Sequence, residues 1–236
     1  MYFFFHLLTG IILGLLIGDI LRDHRWVIPC AIGSVLPDLV DKPLDLVVLS
    51  RSLGNGYIYG HTLLAALVLG VIGVLLLIIW KTPVIAGISA GILSHQVLDL
   101  MWQYPKNWLY PLYGAFPQPS HSSSIFTLLA SEINNPLEVF LFIFLCAGIA
   151  LFIFRHRIIA VLTRHIGGIR ILLACGMFGL LILAGVFIGL SFGNHTLSYL
   201  AWTQPEDFIL GGIVTTMAAV LFWRGYRKVE TKNPFP

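Results

Sequence analysis

Seven apolar stretches, each with few or no charges, constrain this chain more than any other feature. They fall at residues 3–21, 26–39, 62–80, 84–101, 133–154, 171–192 and 208–223. About 20 apolar residues carry a helix across the hydrocarbon core of a bilayer. Backbone groups in lipid must satisfy one another, so such stretches become helices rather than irregular chain. The expected fold is all-α, a polytopic transmembrane helical bundle of about seven spans. The second stretch is short and carries Pro29 and Gly33, so it is expected to be tilted or broken and packed among the others. Only 11% of the 236 residues are charged, against about a quarter in soluble domains, which agrees with an integral membrane protein. The first stretch has no basic leader and no small-residue cleavage site before Arg22, and reads as a retained span rather than a signal peptide.

Charge placement orients the bundle. With the N-terminus outside and all seven stretches crossing, the inner loops and tail hold Arg22, Arg25, Lys81, Arg155, Arg157, Arg164, Arg170, Arg224, Arg227, Lys228 and Lys232. Only Lys42, Arg51 and Lys106 fall outside, a split of 11 to 3. Positive residues favour the cytoplasmic side, so the C-terminus is expected there and the chain in the cytoplasmic (inner) membrane. No Lys/Arg stripe interleaved with aromatics is present, and nucleic acid is not expected as a partner. Cys30, Cys146 and Cys175 lie in apolar stretches without a CxxC pair and read as small apolar fillers.

The same topology gathers ionisable residues at the outer face. His95 and Asp99, in SHQVLD at residues 94–99, are four apart and share one helical face. Ionisable groups at membrane depth are costly unless they face protein or water, which makes this pair a candidate functional site. A structural pair pinning two helices is the alternative. His6 lies near the outer end of the first stretch, Asp38, Asp41 and Asp45 follow the second, and His61 opens the third. His121, Glu132 and Glu138 belong to the next outer loop and the start of the fifth stretch. Solvated loop carboxylates and an interfacial or capping histidine are the plainer readings of several of these. Asp38, directly after Pro37, stands out among the aspartates, and Asp19 reads as an ion-pair partner of Arg22 and Arg25. Histidine nitrogen with carboxylate oxygen suits zinc, so one or two Zn2+ ions are expected, with Mn2+ as a second possibility.

Three blocks resemble a known family: GSVLPDLVDKPL at residues 33–44, GHTLL at 60–64 and HQVLDLMWQYPKNWLYPLYG at 95–114. With His6 and Gly10, they look like the membrane-bound metal-dependent hydrolases, which include an inner-membrane hydrolase described as LexA-binding. The order His, Asp, His, then HxxxD is also similar to zinc-dependent phospholipase C. By that resemblance His6, Asp38, His61, His95 and Asp99 would be metal ligands. The chain departs from the pattern at GYIY, residues 56–59, where many members carry an HRG-type triplet. The resemblance implies a hydrolase-like core over residues 1–140, followed at 141–236 by further helices with a basic cytoplasmic loop and tail.

The expected function is metal-activated hydrolysis of a phosphoester in a lipid or other amphipathic molecule, with membrane lipid as both environment and substrate. Asp38 or Asp99 would accept a proton. Asp41, His121 and Glu138 are candidates for a further ligand or base, and Lys42, Arg51 and Lys106 for holding an anionic headgroup. A metal-ion or proton transporter using the same ligands is one alternative, and a scaffold with a structural metal is another. A transporter would place its ionisable groups near the midplane of paired repeats, and here they cluster toward one face.

Overall fold

The computed structural model describes residues 3–44, 57–117, 126, 130, 134–153, 166–193 and 205–232, and among these all regular structure is helical. The chain divides into two compact units, Met1–Val139 and Phe140–Pro236. Unit one holds α1 (Phe3–Leu21), α2 (Val27–Gly33), α3 (Leu36–Pro43), α4 (Leu63–Trp80), α5 (Val84–Leu98) and the short α6 (Pro105–Trp108). Next comes α7 (Pro136–Ile153), then α8 (Ile166–Ser191) and α9 (Pro205–Lys232). Among the described residues four segments are long and apolar enough to cross a membrane, by length and composition: Phe3–Leu21, Leu63–Trp80, Gly168–Ser191 and Pro205–Val229. Val84–Leu98 and Glu138–Ala147 are shorter apolar helices.

The second apolar stretch is broken, into α2 and α3. The cause lies a few residues beyond Gly33. Pro37 has no N–H for the Gly33 carbonyl four residues back, and its ring crowds that carbonyl. The helix therefore stops at Gly33 and restarts with Pro37 in its first turn, where a missing N–H is harmless. Pro29 sits in the opening turn of α2 and breaks nothing.

Around this broken helix the packing is close because glycines line it. A Cβ on Gly91 of α5 would fall on the Cys30 carbonyl and the Ser34 amide, and one on Gly33 would fall on the Ile88 carbonyl. On the other side Gly10 of α1 lies against Ser34 and Cys30. Small residues that let backbones meet are how helices associate in lipid, where burial of apolar surface drives little. In the α4–α5 hairpin Gly73 meets the Ala86 backbone, and the Ser89 hydroxyl donates to the Ala66 carbonyl at 2.8 Å.

At one end of unit one the α1–α2 and α4–α5 turns are tied together. Arg25 donates from Nε and Nη2 to the Asp23 carboxylate, and Nη2 also reaches the Lys81 carbonyl at 3.1 Å. Those hydrogen bonds hold the Asp23 carboxyl below the usual carboxylate range. Arg25 is thus paired with Asp23 rather than with Asp19, which lies 3.8 Å from His24. The chain direction then places the start of α1, the whole of α3, the start of α4 and the end of α5 at the opposite end. In unit two, α8 and α9 pack antiparallel, with Gly176 against Phe222 and Gly212 against Ile188.

The glycine contacts can be tested by sign. Alanine is favoured over glycine in a helix by about 1 kcal/mol, so Gly179→Ala, with nothing within 4 Å of its added Cβ, should leave thermal unfolding in detergent unchanged or raised. Gly91→Ala should instead lower the unfolding temperature by several degrees. Equal behaviour of the two variants would refute the close approach of α2 and α5.

Candidate metal centre

The site is assembled where α3, the turn before α4 and the end of α5 meet. Asp38, His61, His95 and Asp99 each offer one ligand atom, and these four atoms lie within 4.8 Å of one another. Asp38, His61 and His95 are buried, and the Asp99 side chain is 12% exposed.

Each imidazole is held from behind. His95 Nδ1 lies 2.7 Å from the Ser34 carbonyl, at the break between α2 and α3. A carbonyl only accepts, so Nδ1 carries the proton and Nε2 is left with its lone pair. His61 Nδ1 lies 2.7 Å from Asp41 Oδ2, and the same carboxylate accepts the amides of Ile58, Gly60 and His61 at 3.1, 2.8 and 3.0 Å. Asp41 is thus an outer partner that sets the tautomer and aim of His61, the usual second layer behind a metal-ligating imidazole. The two Nε2 atoms then face each other at 3.1 Å. Two bare lone pairs at that distance repel, so the arrangement calls for a cation between them, a metal ion or a shared proton.

The rest of the geometry favours the metal. Zinc bonds of about 2.0–2.1 Å give a regular tetrahedron with edges of roughly 3.3–3.4 Å. Here five of the six edges are 3.1 Å between the two Nε2 atoms, 3.5 and 3.6 Å from His61 to Asp38 and Asp99, and 3.7 and 3.4 Å from His95 to the same pair, and all four atoms lie within 4.8 Å of one another. Both Asp38 oxygens are buried, and among the described residues neither accepts a well-aligned hydrogen bond. The Lys42 ammonium, 2.5 Å from Asp38 Oδ1, supplies charge but not that geometry. A carboxylate buried in this state fits a cation ligand.

His6 joins the set from α1. Its Nε2 is 3.0 Å from Asp99 Oδ1, and its ring lies on that of His95 with centroids 4.1 Å apart. It lies outside the group of four, and neither ring nitrogen makes a well-aligned hydrogen bond. Asp99 therefore turns one oxygen to the two buried imidazoles and the other to His6.

Glu138 is placed elsewhere than at the four ligands. Its buried carboxylate accepts the Phe4 amide at 2.6 Å and the Phe5 amide at 3.3 Å. The first amides of a helix have no partner within it, and no acidic residue lies in the first turn of α1. A carboxylate from α7 supplies both the hydrogen bonds and the charge that the helix dipole favours there. Lys106 is exposed on α6, and Asp45, Arg51, His121 and Glu132 lie outside the described residues.

Sequence reasoning passed over several residues that shape the site. Gln96 donates to the Gly60 and Thr62 carbonyls at 3.2 and 2.9 Å and accepts from Trp108 Nε1 at 3.0 Å, locking the turn that carries His61. A polar residue beside His95 in an apolar run was a usable signal. Tyr57 stands edge-on to His61 with centroids 4.8 Å apart. The Ser34 carbonyl has no side-chain signature at all.

The model of the YdjM inner membrane protein family matches residues 1–159, which include every residue of the centre. The chain belongs to that family, and it is a multi-pass inner membrane protein. No curated protein and no solved structure matches it.

The centre predicts about one tightly held divalent metal ion per chain, and elemental analysis of purified protein should find it lost in His61→Ala and in Asp38→Asn. Asp41→Asn should weaken binding by roughly 10–100-fold, the usual effect of removing an outer partner. Metal retained in full by His61→Ala would refute the centre. Glu138→Ala should lower stability by about 0.5–2 kcal/mol, as for loss of a helix cap, with Glu138→Gln intermediate. Unchanged thermal unfolding of Glu138→Ala would refute its capping of α1.

Proposed function

We propose that this inner membrane protein is a metal-dependent hydrolase, acting with zinc on a phosphoester of a lipid or another amphipathic molecule at the outer face of the membrane. The observation that carries the reading is the pair of tautomer-locked imidazoles with Asp38 and Asp99 beside them. The mixed nitrogen and oxygen set suits zinc. The blocks at residues 33–44, 60–64 and 95–114, which resemble membrane-bound hydrolases, supply the reaction class. The bias of basic residues toward the opposite side supports the outer face.

When bound, zinc lowers the pKa of a coordinated water toward neutrality and stabilises negative charge on a phosphoryl oxygen. The protein residues divide the remaining tasks. Asp41 and the Ser34 carbonyl keep His61 and His95 in one orientation, so the ligand set needs little rearrangement. Asp99 Oδ1, beside His6 Nε2, is a proton acceptor within reach of the centre, and the imidazole offers that proton a second resting place. The Lys42 ammonium next to Asp38 provides a fixed positive charge for an anionic oxygen of the substrate.

A second reading has its own support. Four protein ligands, three of them buried, resemble a closed structural zinc site, whereas catalytic sites keep a position for water or substrate. A scaffold stabilised by its metal would have this shape.

Turnover separates the two. Full-length protein loaded with zinc should hydrolyse bis(p-nitrophenyl) phosphate or phospholipid in mixed micelles, lose that activity to a chelator and regain it with zinc. Asp38→Asn should be inactive. Zinc-loaded wild type that holds its metal yet cleaves neither substrate would favour the structural site and end the hydrolase reading.

A further inference from the structure

Beyond α5 the chain does not leave the bundle freely. Residues 101–116 are pinned along one side. Met101 is fully buried. The Asn107 amide donates to the Tyr57 carbonyl at 2.7 Å, and Trp108 Nε1 donates to Gln96. Tyr110 stacks on Phe116 at 4.2 Å, and Tyr59 packs edge-on against Phe116 at 5.4 Å. Trp102, Tyr104, Leu112 and Tyr113 of the segment stay exposed, Leu112 at 83% and Tyr113 at 61%, with the Tyr104 ring tilted against that of Tyr57 at 5.7 Å. A segment held this way cannot fold those groups inward.

Helix lengths place the segment in depth. The charged turns with Arg22, Asp23, Arg25 and Lys81 mark the water-facing level at one end. From there His6 lies fifteen residues along α1, counted from Leu21, and Asp99 fifteen residues beyond Val84. At a rise of 1.5 Å per residue each is about 22 Å away, whereas the hydrocarbon core is about 30 Å thick. Both helices thus reach the centre short of the far edge of that core. The aromatic segment starts there and packs on Tyr59, a few residues ahead of the exposed Leu64 and Leu67 of α4. Tryptophan and tyrosine, with an apolar body and a polar tip, concentrate at this level of a bilayer, and a lysine stem such as that of Lys106 can run along it.

We propose that residues 101–116 lie in the headgroup region of the leaflet at the site's end. Leu112, Tyr113, Trp102 and Tyr104 face lipid, and the metal centre sits just beneath the segment. The contact is with the lipid surface itself. A consequence, which rests on the hydrolase reading, is that phospholipid headgroups of this leaflet are the molecules that reach Asp99, the one partly exposed ligand of the four.

Depth measurement by spin labels tests the placement on the full chain in vesicles of phosphatidylethanolamine and phosphatidylglycerol. Cys146 and Cys175 are exposed and would be replaced by alanine, while buried Cys30 stays. A nitroxide is then attached at Leu112→Cys, Tyr113→Cys, Val71→Cys as the lipid reference and His24→Cys as the water reference. Collision with oxygen, relative to collision with a water-soluble chromium complex, should be at least about threefold higher at 112 and 113 than at 24 and lower than at 71, as for groups at the interface. A ratio equal to that at 71 puts the segment in the hydrocarbon and overturns the proposal. A ratio at 112 and 113 no higher than at 24 overturns the proposal. Bound metal measured on the same vesicles reports on the centre separately: metal present with labels in water rejects the interfacial segment alone.

Discussion

Two imidazole nitrogens, 3.1 Å apart and both deprived of a proton by what lies behind them, are the constraint on which the rest of unit one depends. A histidine pair with free tautomers would settle its own contact, one nitrogen donating and the other accepting. Here the Ser34 carbonyl and the Asp41 carboxylate accept hydrogen bonds from Nδ1 and so keep the ring protons there. Opposing lone pairs are unfavourable in any medium, and more so where water is excluded. The local structure therefore makes sense as one half of an interaction whose other half is positive. Asp38 and Asp99 strengthen that demand, since two carboxylates beside the pair would repel each other without it.

The demand is met by backbone as much as by side chains. Ser34 can offer its carbonyl to His95 because the helix breaks at that point, and it breaks because Pro37 cannot continue it. Gly33 and Gly91 then bring α2 close enough to α5 for a 2.7 Å contact. An intact second helix would have spent the Ser34 carbonyl on its own ladder. An ordinary side chain at position 91 would have held α5 away. A helix of seven residues is a poor membrane span, and its value lies in where it ends.

The sequence made parts of this legible and hid others for identifiable reasons. Long apolar runs dictate helices in lipid, so the helical fold was readable, and Pro29 and Gly33 marked the second run as irregular. Pro37 caused the break, and it stood in plain view next to Asp38. Counting sides of the membrane brought His6, Asp38, His61, His95 and Asp99 to one end, because alternate crossings leave little freedom. The roles within that end were not readable. Asp38 and Asp41 differ by three residues on one short helix, yet one faces the imidazoles and the other backs His61 at Nδ1 while accepting three amides of the turn that carries it. Only the turn at 58–61 decides this, and turns without regular periodicity carry little sequence signal. Glu138 was equally opaque. Its partners are main-chain amides more than 130 residues away, and amides look alike at every position.

The four ligands are not held alike, and the difference points to one side of the centre. His95 is braced by Ser34 at the α2–α5 contact and His61 by Asp41 between α3 and the turn before α4, and Asp38 sits on α3 against Lys42. Asp99 lies just past the end of α5, and its second oxygen faces His6. His6 stands on the first full turn of α1, whose opening amides depend on a carboxylate from α7. A small shift of that helix end would thus alter the company of Asp99 while leaving the other three ligands in place. The exposure of the ligands follows the same order, 12% for Asp99 against 2% or less for the others. Stability and adaptability are therefore separated within one centre: a braced triplet in the packed core, and one carboxylate on the side of α1 whose environment can change.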